Sequence, residues 1–216
     1  VGRAFYNAER YQGADSTFNV ILKVSPDYVP AYLWIARTYS KMDPDSKQWL
    51  AKPKFEKLID VAKGDSSKYE SEMMEAFGYI SYHYMMNDNY ARAKEYYNRM
   101  ITLNSNNKEY KIKGYNGLGS LETKMAGSEK TLEGRLVYLA KAEEAYSKIL
   151  TIDPNNSSAK SSLNYIRDYQ TQVKKGINPN EIKGIITNAA GQPVAYASIR
   201  VKDTAAENLS NGKGEF

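Results

Sequence analysis

The chain has 216 residues, 42% of them hydrophobic and 25% charged, enough for one helical array and a small second unit. The absence of cysteine excludes disulfides, a thiolate nucleophile and a cysteine-held metal, and leaves the redox compartment open. Its 30 basic and 25 acidic residues give a net charge of +5 that is spread out rather than gathered into the stripe of a nucleic-acid binder, so no nucleic-acid partner is expected. The longest apolar runs, such as Val20 to Leu22, fall far short of the roughly 20 residues that span a bilayer, so no transmembrane segment is expected. Val1 to Phe5 carry neither an initiator methionine nor a basic segment leading into an apolar core, and a signal peptide is expected to have been removed or never included.

In chain order, four segments repeat one pattern: an alanine, an aromatic four positions on, and an apolar pair at seven and eight. They are Ala14/Phe18/Ile21/Leu22, Ala51/Phe55/Leu58/Ile59, Ala93/Tyr97/Met100/Ile101 and Ala142/Tyr146/Ile149/Leu150. This is one stripe of a helix. The alanine lets a neighbouring helix approach closely, and the aromatic fills the space one turn later. Each such helix follows another whose facing residues are small or aromatic: Gly2 with Phe5, Tyr32 with Ala36 and Tyr39, Phe77 with Ser81 and Tyr84, Tyr115 with Leu118 and Gly119. Pro26 and Pro154 follow the first and fourth stripes, where a proline ends one helix and can open the next, and Ser105 stands at that place in the third. Pro53 is expected to kink or start the second helix of the second repeat. The fourth repeat is read as two lengthened helices, Asn107 to Ala126 and Glu129 to Thr151, with Gly127 ending one and Ser128 capping the next. Ser157 to Val173, with Leu163, Ile166 and Tyr169 on one face and polar residues behind, suits a terminal capping helix.

This arrangement resembles the tetratricopeptide-repeat family, whose signature puts an aromatic, Leu-Gly and Tyr on the first helix of a hairpin and Ala, an aromatic and Pro from the second onward. The resemblance runs from Val1 to about Lys175. Two departures stand out: Ala36 and Ala51 lie three residues further apart than the pattern has them, and Gly119 and Ala142 eleven further. In the family, positions two, five, nine, twelve and thirteen of each repeat line a concave, partner-binding surface. Carried over, they give a candidate groove of Arg3, Tyr6, Asn7, Leu33, Arg37, Lys41, Tyr82, Met85, Met86, Lys113, Asn116, Ser120 and Lys124. Five of these are basic and none is acidic, so the resemblance implies an extended or acidic peptide as partner, with Met85 and Met86 as adaptable apolar contacts. Arg37 and Lys124 are expected to stand in solvent. Asn7, Arg37, Lys113 and Asn116 supply the residue types of the family's carboxylate clamp, although the insertions alter the spacing.

After Gly176 the period changes from helical to alternating, as in Val194, Tyr196, Ser198 and Arg200 against Ala195, Ala197, Ile199 and Val201. A linker is placed at 176–180, where Pro179 disfavours helix at Asn178. Gly184, Gly191 with Pro193, Ala197, Val201, and Asn211, Gly212 and Phe216 resemble the opening of a carboxypeptidase regulatory-like domain, a small prealbumin-like β-sandwich. That resemblance implies a non-catalytic module, incomplete here, and a periplasmic or cell-envelope location beside membrane- or cell-wall-associated complexes.

Catalytic constellations are not marked. His83 is the sole histidine, so no His pair for a metal and no strained Ser-His-Asp nucleophile is set out, and it reads as a helix residue between Tyr82 and Tyr84. "NGLGS" lacks the GK[ST] of a phosphate cradle and reads as a helix contact. Glu72/Glu75 and Glu143/Glu144 read as solvated helix faces rather than acid/base pairs. Most of the 19 tyrosines fall on packing positions. The reading is mainly α: a tetratricopeptide-type solenoid of helical hairpins over 1–175, then a partial β-sandwich segment over 181–216. It is expected to act without cofactor or metal as a scaffold for a protein or peptide. The alternative is a glycan-binding or glycan-processing accessory protein, which would require Trp34 and Trp49 to be exposed together.

Overall fold

The helix boundaries follow from side-chain chemistry at their ends. Pro30 and Pro53 sit in the first turns of their helices, where proline's missing amide has no partner to lose. Asn89, Asn107, Thr131 and Asn156 cap four others by accepting from the amides of Arg92, Tyr110, Gly134 and Ala159 at 3.0 to 3.3 Å. The computed structural model describes residues 1–104, 106–176, 185–195, 198–200, 207–209, 213 and 215. Its helices are α1 Gly2–Asn7, α2 Tyr11–Val24, α3 Val29–Met42, α4 Lys52–Ala62, α5 Glu70–Met86, α6 Tyr90–Leu103, α7 Lys108–Ser128, α8 Leu132–Ile152 and α9 Ser157–Lys174, with a short 3-10 turn at Lys63–Asp65. Each helix packs on the next, and α3 also touches α5, which is the contact pattern of stacked hairpins.

The four repeat stripes form the contacts between helices. Ala14, Ala51, Ala93 and Ala142 have no exposed surface, and Phe18, Phe55, Tyr97 and Tyr146 are buried beside them. Three clusters follow along the chain. Ala14, Phe18, Ala31 and Ile35 form the first; a central one runs from Val29 through Phe55, Phe77 and Ile80 to Tyr97 and Leu121; the last joins Leu139, Tyr146 and Ile149 to Leu163, Ile166 and Tyr169 of the terminal helix. Burying a side chain such as Phe77 contributes about 1.5 to 3 kcal/mol. Pro53 does start its helix, and α9 covers the last hairpin with the expected residues.

The insertions have distinct structural outcomes. In the second repeat the extra residues form a loop between α3 and α4, where the Asp43 carboxylate accepts from the amides of Lys47 at 2.9 Å, Gln48 at 3.0 Å and Leu50 at 3.4 Å. Ser46 and Trp49 take positive φ values of 53° and 55° there. In the fourth repeat both helices lengthen to 21 residues, as the spacing requires. The cap differs from expectation. The helix continues through Gly127 to Ser128, whose hydroxyl donates back to the Lys124 carbonyl, and Thr131 caps α8 instead, with Glu129 accepting from its amide and hydroxyl. Pro26 and Pro154 lie in turns after α2 and α8 and open no helix, because Pro30 and Asn156 start the following ones. Ser105 lies outside the described residues.

Gly176 ends α9 at φ +73°, donating its amide to Val173, which is the left-handed stop a glycine supplies. Beyond it a turn spans Asn188 to Gln192: Gly191 takes φ +76°, the Asn188 side chain accepts from the amides of Ala190 and Gln192, and Thr187 bridges to Pro193. Strands β1 Ser198–Arg200 and β2 Glu207–Leu209 pair antiparallel, and Ile185 bridges to Glu215. Among the described residues this amounts to a two-stranded ribbon and two bridges, and no sandwich is seen. The linker residues 177–180 and the marker positions Gly184, Ala197, Val201, Asn211, Gly212 and Phe216 lie outside the described residues.

Candidate functional site

The odd-numbered helices α1, α3, α5, α7 and α9 share a face that carries three depressions. The first, about 490 Å³, is lined by Tyr6, Arg37, Ser40, Lys41, Phe55, Glu75, Gly78 and Tyr79. The second, about 460 Å³, shares Glu75 and Gly78 with it and adds Ser71, Met74, Met100, Asn107, Glu109, Tyr110 and Lys113. The third, about 640 Å³, lies between α7 and α9 and is lined by Ser120, Thr123, Lys124, Tyr146, Ser161, Ser162 and Tyr165 among others. Together they run the length of the array along one side.

The electrostatics of this face differ from the sequence expectation. Arg37 is held bidentately by Glu75 of the next repeat, Nε to Oε1 at 2.7 Å and Nη2 to Oε2 at 2.5 Å, and also lies over the Trp34 ring. The hydrogen bond to Glu75 raises the Arg37 pKa against the effect of burial. Lys124 donates at 3.0 Å both to the Met85 carbonyl and to Asp88, which raises its pKa, while hydrogen bonds from Tyr90 and Lys124 lower that of Asp88. Lys113 pairs with Glu109 at 2.6 Å. Three of the five candidate cations are therefore balanced by carboxylates, and Arg37 and Lys124 act as ties between repeats rather than free solvent groups. Arg3 is exposed and stacks over Trp34, and among the described residues the exposed Lys41 makes no ion pair with a carboxylate.

The remaining candidates scatter. Tyr82, Met86, Asn7 and Asn116 are exposed, and Met85 is half-buried with its sulfur 3.8 Å from the Tyr97 hydroxyl. Leu33 is buried at 8% within the central cluster and lines the core instead of the groove. Sequence reasoning missed Glu75 and Gly78, which occupy positions two and five of the third repeat in the same register that yielded the other residues. It also missed Ser161, Ser162 and Tyr165, which follow once α9 is read as one more helix of the odd-numbered row.

The other singled-out residues have structural roles. His83 packs edge-on to Trp49 at 4.6 Å, and desolvation, then Lys52, lower its pKa. Glu75 and Glu143 are not simply solvated: the latter accepts from Arg167 at 2.9 Å and Gln170 at 3.1 Å, tying α8 to α9. A similar tie on the opposite side joins Lys94 to the buried Glu122 at 2.7 Å. Trp34 stacks on Phe18 and meets Tyr6 edge-on, whereas Trp49 packs among Tyr79, Tyr82 and His83, so the two indoles belong to separate clusters. Among the described residues no group of His, Asp and Glu is arranged to hold a metal, and no helix is long and apolar enough to cross a membrane.

No protein-family model matches the chain, and no curated protein matches it. Among solved structures it is similar to the crystal structure of the C-terminal part of a TPR repeat-containing protein from Cytophaga hutchinsonii, with 40% identity and a TM-score of 0.48 over 52% of this chain. That match spans 43% of the other chain, less than half its length. It is also similar to the crystal structure of MamA protein, with 21% identity and a TM-score of 0.55 over 81% of this chain and 83% of that one. The likeness to MamA, taken with the stacked hairpins, shows a mainly helical repeat-array fold.

Proposed function

We propose that the chain is a tetratricopeptide-type scaffold, without catalytic activity, that holds an extended peptide or protein segment along the odd-numbered face. The observation that carries this reading is the row of three depressions linking α1 to α9, with the exposed Tyr165 lining the third and Tyr82 and Met86 exposed on α5. Such a surface offers apolar contact between fixed ion pairs, which suits an extended chain better than a compact small molecule. The pairing of Arg37, Lys113 and Lys124 argues against selection by acidity alone. For the glycan reading, the separate packing of Trp34 and Trp49 removes the shared aromatic platform it requires.

A periplasmic or envelope-associated setting is part of this proposal and rests on the resemblance of residues 181–216. Cell fractionation of the source organism tests it, and recovery of the protein solely with cytoplasmic markers would contradict it. The groove itself is tested by placing a photoreactive benzophenone residue at Tyr82 or Tyr165, and separately at Arg92 or Val137 on the even-numbered helices. Adducts to a shared partner from the first pair alone support the proposal. Adducts from Arg92 and Val137 instead move the binding surface to the other side.

A further inference from the structure

Building on the groove reading, we infer that Gly78 is a notch that receives one large apolar side chain of an extended peptide, flanked by a basic residue toward Glu72 and an acidic residue toward Lys41. Gly78 lies in the middle of α5, where glycine is less favourable than alanine. Packing accounts for the glycines of α7. A Cβ on Gly114 would stand 2.5 Å from Ile101 and 2.8 Å from the Tyr97 carbonyl, one on Gly117 would stand 2.2 Å from the Tyr97 ring, and one on Gly119 would stand 2.6 Å from Tyr146. At Gly78 the same atom would meet Met100 Cε alone, at 3.8 Å, an ordinary contact. The fold has room for alanine there and gives no reason for glycine.

What the missing side chain does is lower the floor at the point where the first and second depressions join. Phe55 and Tyr79 line that floor on one side, Met74 and Met100 on the other. Arg37 and Glu75 beside it satisfy one another, so the notch favours apolar area over main-chain hydrogen bonding. Charges of opposite sign stand near it: Lys41 lines the first depression, and Glu72 lies three positions before Glu75, which lines both. Among the described residues Glu72, in the first turn of α5 and about 9 Å along the axis from Gly78 at 1.5 Å per residue, makes no ion pair or hydrogen bond and feels the charge of Arg37 only at longer range. Lys41, in the last turn of α3, likewise makes none. An occupant complementary to both carries a cation at one end, an anion at the other and an apolar residue between.

The test is to select displayed random peptides of about 12 residues on the whole chain and measure the enriched ones by fluorescence polarisation. They are expected to share one large apolar residue between opposite charges. Replacing that residue by alanine, or introducing Gly78→Leu, should weaken binding about tenfold or more. Gly78→Ala should weaken it less while the melting temperature stays level or rises, which separates lost binding from lost folding. Exchanging the charges with Lys41→Glu and Glu72→Lys should reverse the preferred peptide polarity. Peptides that are displaced by Tyr110→Asp or Tyr165→Asp but bind Gly78→Leu as they bind the parent chain would overturn the notch and leave the groove standing. If no peptide is enriched, or none responds to any substitution on this face, the groove reading fails and the notch with it.

Discussion

Helices α5 and α7 line the same face, and both carry glycine in their interiors, yet the glycines do different things. In α7 they let Tyr97, Ile101 and Tyr146 of the neighbouring helices press against the backbone, so the helix is fixed between α6 and α8. In α5 Gly78 faces the open floor of two depressions and touches almost nothing. A glycine inside a helical pattern is thus a packing device in one repeat and a gap in the surface in the next. Tertiary context decides which.

Substitutions at these positions sharpen the contrast. Gly114→Ala has the largest expected effect: its Cβ would meet the Tyr97 carbonyl, backbone that cannot rotate away, and the overpacking should cost about 1 to 3 kcal/mol despite alanine's better helix propensity. Calorimetric melting checks it, and an unchanged transition would show that α6 and α7 can part freely. Gly78→Ala should act with the opposite sign, stabilising by about 0.5 to 1 kcal/mol in the same measurement. Arg37→Gln removes the bidentate tie between the second and third repeats. Because both partners are about a third exposed, at 33% and 36%, the loss should be about 0.5 to 1 kcal/mol and should shrink in high salt.

The smallest effect concerns the loop between α3 and α4 and appears in acid. Burial opposes ionisation of Asp43, but amide hydrogen bonds from Gln48, Leu50 and Lys47 outweigh it and lower the pKa from its ordinary 3.8. A depressed carboxylate pKa contributes stability above the unfolded value and loses it as pH falls through the folded one, so the loop should loosen below pH 3.8. Trp49 lies in that loop, and a red shift of its fluorescence in this range reports the change. Asp43→Ala should show the shifted spectrum already at neutral pH.

The array was legible in the sequence because its determinants are local and periodic: Ala93 with Tyr97, or Leu163 with Ile166 and Tyr169, mark a buried stripe wherever the neighbouring helix lies. The loop held by Asp43 was not, since three amides converging on one carboxylate leave no spacing to read. Nor was the neutral balance of the groove. Arg37 and Glu75 are 38 residues apart, in different repeats, and their pairing exists solely because stacking brings α3 beside α5. Thr131 displaced Ser128 as the cap of α8 for a local reason that pattern reading ranks poorly, the competition of a serine hydroxyl for its own helix carbonyl.

The seven methionines provide the most direct test of the odd-numbered face as the binding surface. Met74 and Met100 line the second depression, whereas Met125 packs against the central cluster and Met42 ends α3. With the methionine methyl groups carbon-13 labelled, titration of a selected peptide should shift the Met74 and Met100 resonances first. Those of Met42 and Met125 should stay in place. Saturable binding that leaves Met74 and Met100 unmoved would contradict the account.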